Sequence, residues 1–315
     1  MNTVTTAPHQ TALEQFGIES HWLNPVPTRH TLLVVYAHPD DESFGNAGTI
    51  TRYTTTGTAV HYACATRGEC GTVDPKFLDG YADVGQLRTA EQMCAAEALG
   101  LSGVHFLGYR DSGMTGSSDN EDPNAFVQAP FGQAVGQVVA AIRALQPQVV
   151  VTFGPYGGYG HPDHIMAHKV TQAAFHLAGD ATAYAEQAEA GLVPWQPTKL
   201  YYPTFTNRFL KIALAFMRLR GQDPRKVGQN ADIDLVEALA QITPITTAIY
   251  SGPMLARKEQ AVACHASQLG GGPAFLRRIP RIVRQLNSTE YFTRIEPPWE
   301  PQRTLERDLF GRIDP

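Results

Sequence analysis

A continuous apolar segment at residues 31–37 constrains the fold more than any other feature of this chain, because it ends abruptly in polar side chains. The segment is followed at once by His38, Pro39, Asp40, Asp41 and Glu42. An uninterrupted apolar run of this length is typical of a strand that is buried on both faces of a parallel sheet. The sequence therefore predicts a central parallel strand with a polar cluster at its carboxyl end.

The first two-thirds of the chain alternates between strand-like and helix-like segments. Strands are predicted at residues 31–37, 58–66, 104–107, 148–153 and 199–205, and helices at residues 45–56, 84–99, 134–145 and 161–177. This alternation predicts an α/β fold with a doubly wound, Rossmann-like and mainly parallel sheet. Further helices, at residues 209–220 and 255–267, belong to a predicted C-terminal α/β extension.

A second polar cluster, at residues 161–164, follows the fourth predicted strand and a glycine-rich loop at residues 154–160. If the strand order is three-two-one-four-five, the first and fourth strands are neighbours and the chain direction reverses between them. Ligands of such sheets bind outside the carboxyl ends of the strands at this switch point. We therefore expect the two polar clusters to lie side by side in space.

The residue types in the two clusters indicate a metal site. Zinc in hydrolases is typically held by three His, Asp or Glu side chains, with water in the open position. His38 and Asp41 lie three residues apart at a strand end, and His161 and His164 lie three apart, on one face of a predicted helix. Zinc suits these ligands, although iron, cobalt and manganese also accept them.

Amide hydrolysis also requires a base, a group that stabilises the oxyanion and a proton for the leaving amine. The adjacent Asp40 and Asp41 offer one ligand and one base. A histidine that is not a ligand and the hydroxyl of Tyr159 could meet the other needs. Ligand chemistry alone does not distinguish His161 from His164 in these roles.

Composition excludes several classes of function. The net charge of −5 gives no basic field for nucleic acid, and no apolar run reaches the roughly 20 residues that span a bilayer. The polar N-terminus does not resemble a signal peptide. Four scattered cysteines, Cys64, Cys70, Cys94 and Cys264, are expected to be reduced thiols, so we predict a cytoplasmic protein without stable membrane insertion.

The two long motifs, residues 37–42 and residues 161–164, resemble the paired signatures of the PIG-L/LmbE-like N-acetylglucosaminyl deacetylase family. Residues 158–160 resemble the mycothiol-pathway members in particular. Shorter matches are residues 66–69, Arg88 with Glu91, residues 109–114, Lys258 and residues 265–268. The resemblance covers most of residues 31–268.

The resemblance implies that one zinc ion per chain is bound by His38, Asp41 and His164, and that Asp40 is the general base. It also implies roles for the side chains around the metal. His161 would serve as an acid or an electrostatic stabiliser, and Tyr159 would polarise the acetyl carbonyl. Arg88 and Asp111 match positions that contact the polar substrate.

We therefore expect a zinc-dependent hydrolase that removes the acetyl group from an N-acetylglucosaminyl conjugate, a small-molecule partner. A thiol-conjugate amidase with the same metal chemistry and a non-catalytic sugar-binding protein on the same fold are alternatives. A nucleotide-dependent oxidoreductase is disfavoured because the G-x-G-x-x-G motif is absent.

The chain is expected to comprise an N-terminal arm (1–30), a catalytic region (31–205) and a substrate-shaping region (206–315), and to be capable of homo-oligomerisation. Basic side chains at residues 275–281 are expected to form a solvated face; the alternative is that they favour a negative group on the substrate.

Overall fold

The computed structural model of the protein describes residues 6–23, 28, 30–227, 233–271, 284, 288–300 and 304–313. The predicted basic segment at residues 275–281 lies outside this set. Within it, eight strands form a single sheet. The strands are β1 (Glu19–Trp22), β2 (Thr31–Tyr36), β3 (Ala59–Cys64), β4 (Gly103–Phe106), β5 (Val149–Thr152), β6 (Lys199–Thr204), β7 (Thr247–Tyr250) and β8 (Thr289–Glu296).

The strand order across the sheet is β1-β4-β3-β2-β5-β6-β8-β7. The five central strands, β4 to β6 in this order, run parallel to one another. The outer strands β1, β8 and β7 pair antiparallel. The predicted α/β class and the order of the five parallel strands are confirmed, with β2 and β5 as the neighbours at the switch point.

Helices cover both faces of the sheet. They are α1 (Thr6–Gln15), α2 (Asp41–Gly45), α3 (Ala47–Thr55), α4 (Val84–Leu99), α5 (Phe131–Leu145), α6 (Gly157–Gly160), α7 (Pro162–Leu177), α8 (Ala185–Glu189), α9 (Asn207–Leu219), α10 (Leu235–Ala240) and α11 (Leu255–Cys264). Helices α1, α5 and α7 pack together on one face, and α3, α4 and α11 pack together on the other. Among the helices of the described ranges, none is long and apolar enough to cross a bilayer.

The bounds of α4 follow from its capping residues. The Asp83 carboxylate accepts a hydrogen bond of 2.8 Å from the backbone N–H of Gln86, which satisfies a free donor of the first turn. Gly100 ends the helix with a φ of 75°, a left-handed conformation that glycine adopts without steric cost. Helix α4 therefore begins and ends where the sequence predicts.

The core is built around β2, as its unbroken apolar sequence predicts. Leu32, Leu33 and Val34 are each 0% exposed, with strands on both sides and helices on both faces. Burying one such side chain stabilises the fold by about 1.5–3 kcal/mol. The burial makes β2 a rigid support for the residues that follow it.

The C-terminal part of the chain joins the same sheet. Strand β8 lies between β6 and β7, and its Glu290 carboxylate accepts hydrogen bonds from the backbone N–H groups of Gly48 and Thr49 at 3.1 and 2.7 Å. Glu290 also pairs with Lys258 of α11 at 2.7 Å. The carboxylate satisfies donors in the first turn of α3 and thereby ties the C-terminal strand to the helix that follows the first motif.

The prediction that all four cysteines are reduced thiols is wrong. Cys94 of α4 and Cys264 of α11 form a disulfide, with Cα atoms 5.7 Å apart. The two residues lie 170 positions apart in sequence, and only the packing of α11 against α4 brings them together. Cys64 and Cys70 are free.

Candidate active site

The two motifs meet at the carboxyl ends of the neighbouring strands β2 and β5. Residues 38–42 follow β2 directly, and residues 161–164 form the start of α7. His161 caps α7, because its Nδ1 accepts a hydrogen bond from the backbone N–H of Asp163 at 3.2 Å. The sequence clusters therefore lie side by side, as the strand order requires.

The three predicted metal ligands converge on one point. His38 Nδ1 lies 3.1 Å from His164 Nε2, and Asp41 Oδ1 lies 3.3 Å from the same His164 nitrogen. The other oxygen of Asp41 lies 3.6 Å from His38 Nδ1. Two imidazole nitrogens and one carboxylate in this spacing form a donor set of the kind that zinc prefers.

The hydrogen bonds of the two rings indicate which of their nitrogens are free to bind a cation. His164 Nδ1 lies 3.0 Å from the carbonyl oxygen of Gly157, which only accepts, so Nδ1 carries the proton. His38 Nε2 faces the Asp163 carboxylate at 3.2 Å and carries a proton by the same argument. When both rings are neutral, His38 Nδ1 and His164 Nε2 each present a lone pair to the other, and either a metal ion between them or a proton on His38 Nδ1 relieves the repulsion.

The pKa of His38 agrees with this demand for positive charge. Burial disfavours the charged ring, but the carboxylates of Asp111, Asp163 and Asp41 outweigh burial and raise the pKa of His38 well above its ordinary value. Burial raises the pKa of Asp41, but the neighbouring His164 and His38 reverse this and hold it well below the usual range. The described residues therefore fit a divalent metal ion at this point.

Asp163 supports the ligand His38 and was assigned no role from the sequence. It is 0% exposed and accepts hydrogen bonds from Ser112, from the backbone N–H at 2.9 Å and also from the hydroxyl. A carboxylate that binds the remote nitrogen of a metal-ligating histidine fixes its tautomer and orientation. The position of Asp163 inside the second motif is the signal that could have revealed it.

Asp40 lies beside the three predicted ligands. Its carboxylate faces Arg88, whereas that of Asp41 faces His38 and His164. Arg88 Nη2 donates to Asp40 Oδ2 at 2.9 Å and to the carbonyl oxygen of Pro39 at 2.6 Å. Burial raises the pKa of Asp40, Arg88 lowers it, and the result is about 6. Arg88 was expected to contact substrate; it borders the cavity, but its guanidinium also holds Asp40.

The rings of His161 and Tyr159 lie close to those of the predicted ligands His38 and His164. The His161 ring centroid is 4.5 Å from that of His38, and burial together with the nearby His38 and His164 lowers the pKa of His161 to about 2. Its Nδ1 accepts the hydrogen bond that caps α7, so the proton of the neutral ring sits on Nε2. Burial raises the pKa of Tyr159, which keeps its hydroxyl protonated as a donor.

Two wider groupings of ligand atoms also lie within 4.8 Å of one another. One contains His38, His161 and His164, and the other contains His38, Asp111, His161 and Asp163. His161 Nδ1 and the Asp163 carboxylate are already engaged in the hydrogen bonds described above. Asp41 Oδ2 likewise accepts hydrogen bonds from the backbone N–H groups of Ala37 and His38, at 3.2 and 2.8 Å, and neither grouping contains Asp41. These bonds therefore do not by themselves select His38, Asp41 and His164 as the ligands.

A cavity of about 540 Å³ opens over the site and includes most of the predicted functional side chains. Its wall continues into the loop after β4, of which the sequence analysis assigned Asp111 to the substrate site but not residues 115–119. The lining residues are His38, Asp40, Cys70, Gly71, Thr72, Arg88, Asp111, Gly113, Met114, Thr115, Gly116, Ser117, Asp119, Tyr159, His161, Ile233 and Gln268. Most of them are polar, which suits a hydroxyl-rich ligand.

Comparison with protein families gives a match between residues 33–175 and the model described as PIG-L: GlcNAc-PI de-N-acetylase. Both motifs lie inside the matched range.

Curated relatives match over most of the chain. The 1D-myo-inositol 2-acetamido-2-deoxy-alpha-D-glucopyranoside deacetylase of Streptomyces avermitilis is 36% identical over 302 residues, covering 93% of this chain and 100% of the relative. The enzyme of the same name from Rhodococcus erythropolis is 37% identical, covering 90% and 97%.

Solved structures support the fold. The N,N'-diacetylchitobiose deacetylase of Pyrococcus horikoshii has a TM-score of 0.56 at 18% identity, with 93% of each chain covered. The 4-carboxy-2-hydroxymuconate hydratase of Pseudomonas putida has a TM-score of 0.54 at 20% identity, covering 87% of this chain and 100% of the other. The second protein is named for a different reaction, so the fold alone does not decide the chemistry.

The full-length identity to curated enzymes, rather than the fold, establishes the class. The relatives are deacetylases, which makes the protein an enzyme of the deacetylase type and not a sugar-binding protein without activity. Their match, the family model and the paired motifs agree with one another. The chain belongs to the PIG-L family of deacetylases and resembles its mycothiol-pathway type.

Proposed function

We propose that the protein removes the acetyl group from an N-acetylglucosaminyl conjugate of inositol, using one zinc ion held by His38, Asp41 and His164. The observation that carries this proposal is the pair of imidazole nitrogens 3.1 Å apart beside Asp41, within a chain that is 36% identical to a deacetylase named for that substrate. Other divalent metals with a preference for imidazole could take the place of zinc.

The metal, when bound, supplies Lewis acidity and lowers the pKa of a water molecule toward 7. Asp40 lies beside the ligands with a pKa of about 6, close to the value that suits a general base near neutral pH. In the proposed reaction Asp40 takes the proton of the water as its oxygen attacks the acetyl carbon. The C–N bond then breaks as the same proton passes from Asp40 to the amine nitrogen, and acetic acid leaves and ionises to acetate in solution.

The carbonyl oxygen gains negative charge in this step and needs hydrogen-bond donors. The neutral ring of His161 offers Nε2–H, and Tyr159 offers its hydroxyl, both at the cavity wall. A neutral imidazole is an effective electrophile of this kind. With a pKa of about 2, His161 is suited to electrostatic stabilisation rather than to proton donation.

The substrate-binding roles of Arg88 and Asp111 remain part of the proposal. Asp111 borders the cavity. Burial raises the pKa of Asp111, but His38 and a hydrogen bond from the backbone N–H of Gly113 outweigh burial and hold this pKa well below its usual value. The Asp111 carboxylate therefore stays ionised and can accept hydrogen bonds from sugar hydroxyls. Ile233 and Gln268 also border the cavity, which supports a substrate-shaping role for residues 206–315. We further propose that the enzyme acts in the cytoplasm, although the Cys94–Cys264 disulfide removes the cysteine argument for that compartment, and that it can form homo-oligomers.

A single experiment tests the proposal. The purified protein is assayed for amine and acetate release from a panel of N-acetylglucosamine conjugates, with the metal content of each sample measured in parallel. We expect activity on the inositol conjugate, about one metal ion per chain, and loss of both in His164→Ala. Release of a larger acyl group in preference to acetate would instead favour a thiol-conjugate amidase.

A further inference from the structure

The backbone of Asp40 has a conformation that this residue type rarely adopts. Its φ is 115° and its ψ is −25°, in the region of positive φ that favours glycine. Non-glycine residues in such regions cost of order 1–3 kcal/mol and persist only when their surroundings hold them. The contacts that hold Asp40 therefore decide where its carboxylate lies.

Two side chains of α4 hold Asp40: one binds its carboxylate and the other binds its backbone N–H. Arg88 binds the carboxylate, as described above. Gln92, one helical turn later, binds the backbone: the N–H of Asp40 donates to Gln92 Oε1 at 3.3 Å. Residues four apart lie on the same face of a helix, so α4 presents both groups to Asp40 together.

The orientation of the Gln92 amide follows from its second contact. Its Nε2 donates to Glu42 Oε1 at 3.1 Å, and both Gln92 and Glu42 are 0% exposed. A flipped amide would place its NH2 group against the Asp40 N–H and its oxygen against the Glu42 carboxylate, so only one orientation satisfies both partners. Gln92 is therefore a fixed acceptor for Asp40.

Glu42, in turn, is itself anchored. Its Oε1 accepts a hydrogen bond of 2.7 Å from Ser43 Oγ, and the buried ring of His265 lies 3.6 Å away. Water has no access to these atoms, because the side chains of Glu42, Ser43 and His265 are all fully buried. The chain of contacts from His265 through Glu42 and Gln92 thus ends on the backbone of the proposed base.

We propose that Gln92 is a positioning residue for the reaction: it holds the backbone of Asp40 in its left-handed conformation and thereby directs the Asp40 carboxylate at the attacking water. This inference rests on the proposed function of Asp40 as general base. No part of Gln92 borders the cavity, so it acts through Asp40 and not on the substrate.

The test is a double-mutant cycle on the full-length, metal-loaded protein. Gln92→Met keeps the length and helix propensity of the side chain but removes both hydrogen bonds. We expect kcat to fall roughly 10- to 100-fold, part of the 10²–10⁴ that general acid–base catalysis contributes, with KM and metal content unchanged. In an Asp40→Asn background the same substitution should have no further effect, because the group it positions is gone.

Gln92→Asn serves as a second variant if Gln92→Met does not fold, since it keeps the amide but cannot reach both partners; we expect the same loss. Glu97→Met is the control, because Glu97 is an exposed residue in the last turn of the same helix. An equal loss of kcat in both backgrounds, or a change in KM with kcat unaltered, would overturn the inference about Gln92. Wild-type activity in Asp40→Asn alone would instead overturn the proposed function.

Discussion

At the scale of single residues, the surroundings of Asp40 and Asp41 distinguish the two neighbouring aspartates, although their side chains are chemically identical. Asp41 faces His38 and His164, whereas Asp40 faces Arg88 and is held at a positive φ. The sequence offered one ligand and one base but no physical means of dividing the roles between the pair. The division depends on backbone dihedral angles and on α4, which local sequence does not encode.

This separation gives a first prediction, on Asp40→Asn and Asp41→Ala. Asp40→Asn should keep its metal and lose about 10²–10⁴-fold in kcat, the usual contribution of a general base. Asp41→Ala should lose metal and activity together, because it removes a ligand. Metal analysis and steady-state kinetics on the two proteins decide it. The opposite pattern, a metal-free Asp40→Asn beside a loaded Asp41→Ala, would show that the roles are reversed.

A second prediction concerns the pH dependence of the reaction. Asp40 acts as a base only when ionised, so kcat/KM should fall as the pH drops through about 6, or through a lower value once a bound cation favours the carboxylate. Arg88 lowers the pKa of Asp40, so Arg88→Met should raise it and move this acid limb to higher pH. The pH–rate profiles of both proteins are compared under saturating metal. An acid limb that stays in place would argue that Arg88 contacts substrate alone.

At the scale of elements, the five parallel strands and most helices were predictable, because buried parallel strands have unbroken apolar sequences and α4 has clear caps. Strand β1 was not predicted, since its four residues carry no apolar run and gain their partners only from the distant β4. Gln92 carries no motif, and its role depends on the approach of α4 to the end of β2. The disulfide was not predicted for a similar reason, because Cys94 and Cys264 come together only when α11 packs against α4.

The third prediction belongs to the α4–α11 pair. Cys94→Ser combined with Cys264→Ser should lower the free energy of unfolding by about 2–4 kcal/mol, because the disulfide restrains a long loop in the unfolded chain. Urea denaturation measures the loss. Wild-type protein treated with a reducing agent should approach the variant, and the variant itself should not respond to the reagent. Equal stability of all samples would show that the helix contacts alone determine this stability.

At the scale of the whole molecule, the proposed metal site would join the two halves of the parallel sheet. His38 and Asp41 follow β2, and His164 belongs to α7 beyond β5. A ligand that binds only the folded state stabilises it by RT ln(1 + [L]/Kd), about 2.7 kcal/mol at a hundredfold excess over Kd.

We therefore predict that a chelator lowers the melting temperature of the wild-type protein and that added zinc restores it. His164→Ala should melt at the lower temperature with or without chelator. A wild-type melting temperature that does not respond to chelator would contradict a metal at this point. The measurement needs no substrate, so it tests the metal site separately from the activity.

The position of β8 between β6 and β7 has a consequence for the order of assembly during synthesis. Strand β7 pairs only with β8 within the sheet, and its remaining bridge, from Thr247, reaches Glu306. The ribosome therefore releases β7 before any strand that can receive it exists, at a time when residues 31–205 are already available to fold. Strand β8, which follows β7 in the chain, completes the sheet, so a nascent chain that stops before β8 would expose an unpaired edge on β6 to other chains.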